Sequence, residues 1–157
     1  MRKRHRNLRR LDRVWVDHQV YFITGCTFRR RGNLATPEAA GILKEEWEGA
    51  TARHGWNVAR YVIMPDHVHF FCAAQEGAAD LETFLQRWKE WTAKRLIREL
   101  SYKRPVWQLR FFDHLIRSEE SCAEKWEYVY LNPVRAGLVG RAEDWAYSGE
   151  IVEDRGL

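Results

Sequence analysis

Two histidines separated by one apolar residue, His67-Val68-His69, lie within the strand-like run Tyr61-Val62-Ile63-Met64-Pro65-Asp66-His67-Val68-His69-Phe70-Phe71-Cys72. Side chains alternate across a β-strand, so both imidazoles project from one face while Val68 and Phe70 point the other way, into a core. Two neighbouring imidazoles backed by a packed strand are a ready pair of ligands for a divalent metal ion. Such a pair needs a third ligand and a reactive group.

Tyr128 and Asn132 are candidates for both roles. They are four residues apart in a helical stretch and so share a face. The Asn132 amide oxygen can complete a site begun by two imidazoles, and the Tyr128 phenol, one turn earlier, would sit near the same ion. A hard divalent cation there would bind a phosphate oxygen, offset developing charge and orient a phosphodiester. The tyrosine oxygen would then act as nucleophile and form a covalent phosphotyrosine. A phenol ionises near pH ~10, so it would need help from the metal or a neighbouring base. Pro133 biases the residue before it away from α conformation. Asn132 is therefore expected at a kink or in the last turn, which either aims its amide at the histidines or takes it off their face. Tyr130 is the competing nucleophile.

Local patterns supply the frame that must hold these residues. Residues 20–28 are β-branched and aromatic and read as a strand. After a loop over 29–34, Thr36 reads as an N-cap with Pro37 at the first helical position, and that helix runs to about residue 54, where Gly55 stops it. Strands follow over 56–63 and 67–73. Pro65 cannot donate to a sheet ladder, so 64–66 is their tight connection. Asp80 caps a second helix with Leu81, Phe84, Leu85, Trp88, Ala93 and Leu96 near one face. A loop over 101–110 leads to a strand over 111–117. Ser118, followed by Glu119 and Glu120, opens a last helix expected to run to about residue 134. The order strand, helix, strand, strand, helix, strand, helix predicts an α+β fold. It is a ferredoxin-like split βαβ sandwich, an antiparallel sheet with helices on one face, with an additional C-terminal helix carrying the tyrosine. The expected division is a basic N-terminal arm at 1–17, a catalytic domain at 18–148 and an acidic tail at 149–157.

Composition agrees with one folded domain: 157 residues, eight Trp and a formal charge of +4. Arg2, Lys3, Arg4, Arg6, Arg9, Arg10 and Arg13 crowd the start, and Arg29, Arg30 and Arg31 follow the first apolar run. This asymmetry fits a surface that meets nucleic acid, and equally a solvated surface with a frayed basic arm. Trp88, Trp91, Trp107 and Trp126 read as core more than as base-stacking platforms, Trp107 in its loop being the best exception. Cys26, Cys72 and Cys122 are far apart without CxxC spacing, which argues against a disulfide framework or zinc knuckle and for reduced core thiols. No signal peptide and no apolar run of about 20 residues is visible. A soluble, cytoplasmic protein with no membrane partner is expected.

These motifs carry a family resemblance. The His-hydrophobic-His strand and the Tyr-x-x-x-Asn helix resemble the HUH class of single-tyrosine, IS200-like transposases, and more closely the branch of REP-associated tyrosine transposases. The matching segments are Tyr61 to His69, Val106-Trp107-Gln108-Leu109-Arg110-Phe111-Phe112-Asp113-His114-Leu115-Ile116-Arg117, and Tyr128-Val129-Tyr130-Leu131-Asn132-Pro133-Val134-Arg135-Ala136-Gly137-Leu138-Val139. Trp145 and Ser148 resemble the family's closing Trp and Ser. Together they span about Val20 to Ser148.

The resemblance implies metal ligation by His67, His69 and Asn132, with Tyr128 as nucleophile and Mg²⁺ or Mn²⁺ as the ion. It implies cleavage of single-stranded DNA beside small hairpins, leaving a 5′-phosphotyrosine and a free 3′-OH, by a monomer or homodimer. Arg4, Arg6, Arg9, Arg10, Arg29, Arg30, Arg31, Trp107 and His114 are expected DNA contacts, His114 also as a group for proton transfer. The alternative from another class is a non-catalytic ferredoxin-like nucleic-acid-binding protein, a repressor or RNA binder, stacking bases on Phe22, Phe28 and Phe70. A histidine-based phosphoesterase is a further alternative, but Phe71 takes the next same-face position after His69.

Overall fold

The computed structural model describes residues 19–151. The expected arm at 1–17 and most of the expected acidic tail lie outside the described residues. Strand β1 (Val20–Cys26) is followed by a 3-10 turn (Phe28–Arg30) and by helix α1 (Pro37–Glu48), whose N-cap Thr36 accepts a hydrogen bond from the Ala39 amide. Gly49 joins α1 to the short α2 (Ala50–His54), and Gly55, with φ 73°, ends it in the left-handed region that glycine enters without strain. Strands β2 (Trp56–Met64) and β3 (His67–Ala74) form a hairpin around Pro65 and Asp66. Asp80 caps α3 (Leu81–Leu100) by accepting from the Thr83 amide, and β4 (Phe112–Ile116) follows a long loop. Ser118 caps α4 (Glu119–Tyr130). A short α5 (Asn132–Arg135) and a brief strand β5 (Ser148–Glu150) complete the described chain.

Adjacent strands are antiparallel in the order β4-β1-β3-β2-β5, the ferredoxin-like order with β5 added beside β2. Each face of the sheet has its own core. On one face α1 and α3 bury Ile23, Ile63, Val68 and Phe70 with Trp47 and Trp88, whose rings stack 5.3 Å apart. On the opposite face Val20, Phe22, Val62, Met64, Phe71 and Ile116 pack with Cys122 and Val129 of α4. The two crossover helices therefore share one face as expected, and the added helix takes the other. All three cysteines are buried and none forms a disulfide. No helix among the described residues is long and apolar enough to cross a membrane.

Two local departures from regular alternation matter for the site. A bulge in β2 sets Ala59 and Arg60 against the single residue Phe71, since Val58 pairs with Cys72 but Tyr61 with Phe70. Past it, Val62 aligns with His69 and Met64 with His67. The expected single last helix breaks at Leu131, so that Asn132 opens α5 instead of continuing α4. Pro133 supplies the reason: it has no N–H to continue the α4 ladder and fits the first turn of a new helix.

Gly25 shows how tightly β1 is covered. A Cβ added there would lie 2.4 Å from the Phe111 ring, which itself packs against Trp88 and Trp107. Replacing Gly25 by Ala is expected to destabilise the fold by about 1–3 kcal/mol through overpacking, read from urea unfolding midpoints. An unchanged midpoint would show that Phe111 moves freely.

Candidate metal centre and tyrosine helix

Strand β3 delivers the histidines as its alternation requires. Val68 and Phe70 are 0% exposed beneath the crossover helices. The rings of His67 and His69 stand on the opposite face, edge to face, with centroids 4.9 Å apart. Across the sheet, Thr24 Oγ1 lies 2.9 Å from His69 Nδ1, and the Phe22 ring stacks on His69 at 5.2 Å. From the hairpin turn, Asp66 Oδ1 lies 2.7 Å from His67 Nδ1. Hydrogen bonding thus engages Nδ1 of both rings, and neither Nε2 has a hydrogen-bond partner among the described residues. For metal ligation through Nε2, Thr24 must be the acceptor of the His69 Nδ1–H.

Electrostatics keep His69 in the ligating form. Burial, reinforced by His67, Lys125 and Arg30 nearby, pushes its pKa down to about 3. Burial raises the Asp66 carboxyl, but hydrogen bonds from Arg30 and His67 outweigh it and the net shift is downward. Arg30 donates from Nε to Asp66 Oδ2 at 2.9 Å and from a terminal nitrogen to Cys26 Sγ at 3.2 Å. Burial pushes the Cys26 thiol up, which disfavours a thiolate ligand. Among the described residues no group of three His, Cys, Asp or Glu side chains is arranged to hold a metal. The histidine pair fits half of such a site, and completion falls to an amide, water or substrate oxygen.

The tyrosine helix docks through Cys122, Trp126 and Val129. Tyr130 is stacked on Trp126 at 5.2 Å, whereas Tyr128 is 62% exposed. Arg135 joins Tyr128 to Asn132: its guanidinium lies 3.9 Å over the Tyr128 ring, donates to the Tyr128 carbonyl at 2.6 Å and donates to Asn132 Oδ1. Neither Tyr128 nor Asn132 shares a hydrogen bond or ring contact with the histidines among the described residues. Lys125 lies between the two halves. It is three residues before Tyr128, hence its neighbour on the helix surface, and its ammonium sits 5.2 Å over the Phe22 ring that stacks on His69.

The remaining expected contacts divide. Arg29 and Arg31 flank the Phe28 ring at 5.1 and 5.3 Å, and His114 is exposed on β4 opposite Phe22. Arg4, Arg6, Arg9 and Arg10 lie outside the described residues. Trp107, read as core more than as a platform though also among the expected DNA contacts, is 6% exposed, pairs with Thr27 in an isolated bridge and donates its indole N–H to Thr92 Oγ1, so it belongs to the core. Trp91, expected in the core, is instead 46% exposed, beneath the Arg53 guanidinium. Phe22 and Phe70 are buried, which removes two of the three rings a base-stacking sheet would offer. Sequence reading missed Thr24, Asp66, Lys125 and Arg135. Asp66, directly before His67, was the one with a local signal.

Comparisons with known proteins bear on the chain's family and fold. The family model described as IS200-like transposase matches residues 16–128. A REP-associated tyrosine transposase of Escherichia coli (strain K12) is 27% identical over 136 residues, covering 87% of this chain and 79% of that protein. A Haemophilus influenzae protein provisionally given the same name is 32% identical over 95 residues, 55% of this chain and 54% of that protein. Among solved structures, a REP-associated tyrosine transposase bound to a REP hairpin superposes with a TM-score of 0.70 at 25% identity, covering 83% of this chain and 75% of that one.

The low His69 pKa has a measurable consequence in the metal-free protein. An unfolded histidine takes a proton near pH ~6.5, whereas folded His69 resists protonation until about 3. The unfolded state therefore binds more protons between these values, so this contribution is complete above the unfolded pKa and is lost as pH falls toward the folded one. NMR titration is expected to show His69 still neutral at pH 5. The His69→Asn variant is expected to lose less stability than wild type between pH 7 and 4.

Proposed function

This chain belongs to the IS200-like transposase family, as a single-tyrosine enzyme of the HUH class, and from that premise we propose that it cleaves and rejoins single-stranded DNA beside hairpin repeats through Tyr128. The observation that carries the reading is the His67–His69 pair, side by side on one sheet face with both Nδ1 atoms engaged. His67 and His69, with the amide oxygen of Asn132, would hold a divalent ion. Mg²⁺ or Mn²⁺ bound there would supply Lewis acidity toward the scissile phosphate. Asn132 Oδ1 accepts from Arg135 in this conformation, so ligation through it would use the oxygen's second lone pair or follow its release by Arg135.

In the proposed step the Tyr128 phenolic oxygen attacks phosphorus. A Tyr–O–P bond forms and the bond to the 3′ oxygen breaks, leaving a 5′-phosphotyrosine. The phenolic proton passes to water or a nearby base, and the departing 3′ oxygen takes up a proton to become a free 3′-OH. Attack by this or another 3′-OH reverses or redirects the join. The phosphodiester energy is conserved in the covalent link, so no nucleotide cofactor is required. Tyr128 suits this role better than Tyr130 because its ring is exposed while Tyr130 is stacked on Trp126. Lys125, Arg29 and Arg31 would contact the DNA backbone, with affinity falling as salt rises.

Incubation with Mn²⁺ and end-labelled single-stranded hairpin DNA tests the reading. Wild type is expected to form a labelled covalent adduct, and Tyr128→Phe to reduce it to background while still binding the hairpin. Adduct that persists in Tyr128→Phe and disappears in Tyr130→Phe would move the nucleophile. Hairpin binding by wild type with no adduct would contradict cleavage and favour a non-catalytic binder.

A further inference from the structure

The turn ahead of the histidines is built in more detail than a hairpin connection requires. Both Asp66 carboxylate oxygens are engaged, Oδ1 with His67 Nδ1 at 2.7 Å and Oδ2 with Arg30 Nε at 2.9 Å. The Asp66 carbonyl is fixed as well, accepting from the Thr27 amide at 3.0 Å and from Thr27 Oγ1 at 3.1 Å. The Leu34 amide donates to the Pro65 carbonyl at 2.9 Å. Residues 27–34 are thereby stitched to the hairpin turn at three points. Within that segment Arg29 and Arg30 each have φ of 55°, a left-handed conformation that non-glycine residues adopt at an energetic cost. The strained backbone turns Arg30 back onto Asp66 and Cys26, and Cys26 is the cross-strand partner of His67.

We propose that Asp66, clamped by Arg30, is a positioning residue that fixes the orientation and tautomer of His67 for metal ligation. The inference rests on the metal reading above and deepens it. An ionised carboxylate can only accept hydrogen bonds, so in the Asp66–His67 contact the imidazole Nδ1–H is the donor. A neutral ring that carries its proton on Nδ1 has its lone pair on Nε2, the atom left to bind the ion. The Arg30 nitrogen that lies 3.5 Å from His67 Nδ1 is the longer contact and cannot be accepted by a protonated Nδ1. Arg30 acts through the carboxylate, holding Oδ2 so that Oδ1 stays in line with the ring. The device is asymmetric: His67, at the strand end beside the turn, receives a charged anchor, while His69, buried deeper, is held by Thr24 and by the Phe22 ring.

The test uses the full chain and Mn²⁺ alone, with affinity read by calorimetry and the His67 tautomer read in the metal-free protein by long-range ¹H–¹⁵N NMR. Wild type is expected to hold His67 as the Nδ1–H tautomer. Asp66→Ala is expected to weaken Mn²⁺ binding by about 10–100-fold and to shift His67 toward the Nε2–H form. Asp66→Asn, whose amide oxygen still accepts, is expected to recover part of both, and Arg30→Gln to weaken binding by a smaller factor. The tautomer readout separates positioning from a general loss of fold, and the Asn variant serves if the Ala variant does not fold. Wild-type binding with unchanged affinity and tautomer in Asp66→Ala would overturn this inference alone. A wild-type protein that binds no Mn²⁺ would overturn the metal reading and this inference together.

Discussion

Strand β3 has to satisfy two different neighbours at once, and most of the architecture follows from how it does so. Its odd-numbered side chains His67, His69 and Phe71 face α4, while Val68, Phe70 and Cys72 face the two crossover helices. Because the side-chain period of a strand is two, a slip of one residue would exchange these sets and put imidazoles among Trp47 and Trp88. The cost of burying them there without partners holds the register. Pairing with β1 on one side and β2 on the other then decides what surrounds the imidazoles, and the β2 bulge restores the alignment that sets Val62 and Met64 beside them. Behind the histidines, Val68 and Phe70 of the same strand are fully buried.

The second half of the proposed site is organised on different physics. Tyr128 and Asn132 stand on an exposed flank, and Arg135 holds them together through a cation–π contact and two hydrogen bonds. Exposed contacts of this kind are weak and exchangeable compared with a packed strand. In the proposed reaction, a packed histidine pair and a tyrosine held by weaker exposed contacts would suit a nucleophile that becomes attached to the substrate and is later released. Lys125 gives this flank a positive charge one turn before the tyrosine, beside the ring that stacks on His69.

Much of the frame could be read from the residues because it depends on local chemistry. Thr36-Pro37, Asp80 and Ser118 each begin a helix where their capping side chains predict it, and His67-Val68-His69 needs only strand alternation. What escaped reading depends on contacts distant in sequence. That Thr24 meets His69 follows from β1–β3 register, and no pattern near Thr24 signals it. Trp107 could be read as core more than as a platform, but not the partner its loop brings its indole to, Thr92 on α3. The break between Tyr130 and Asn132 was foreshadowed by Pro133, although the arginine that bridges it was not. Asp66 was legible as a turn residue, and its carboxylate acquires a further role only once Arg30 folds back upon it.

In the proposed metal site, His67 and His69 together form the floor. Pulsed electron paramagnetic resonance of Mn²⁺ bound to the full chain, with histidine nitrogens isotopically labelled, tests it most directly. Couplings from two directly bound imidazole nitrogens are expected, with one lost in His67→Ala and one in His69→Ala. Bound Mn²⁺ with no imidazole coupling, or with couplings that survive both substitutions, would contradict it.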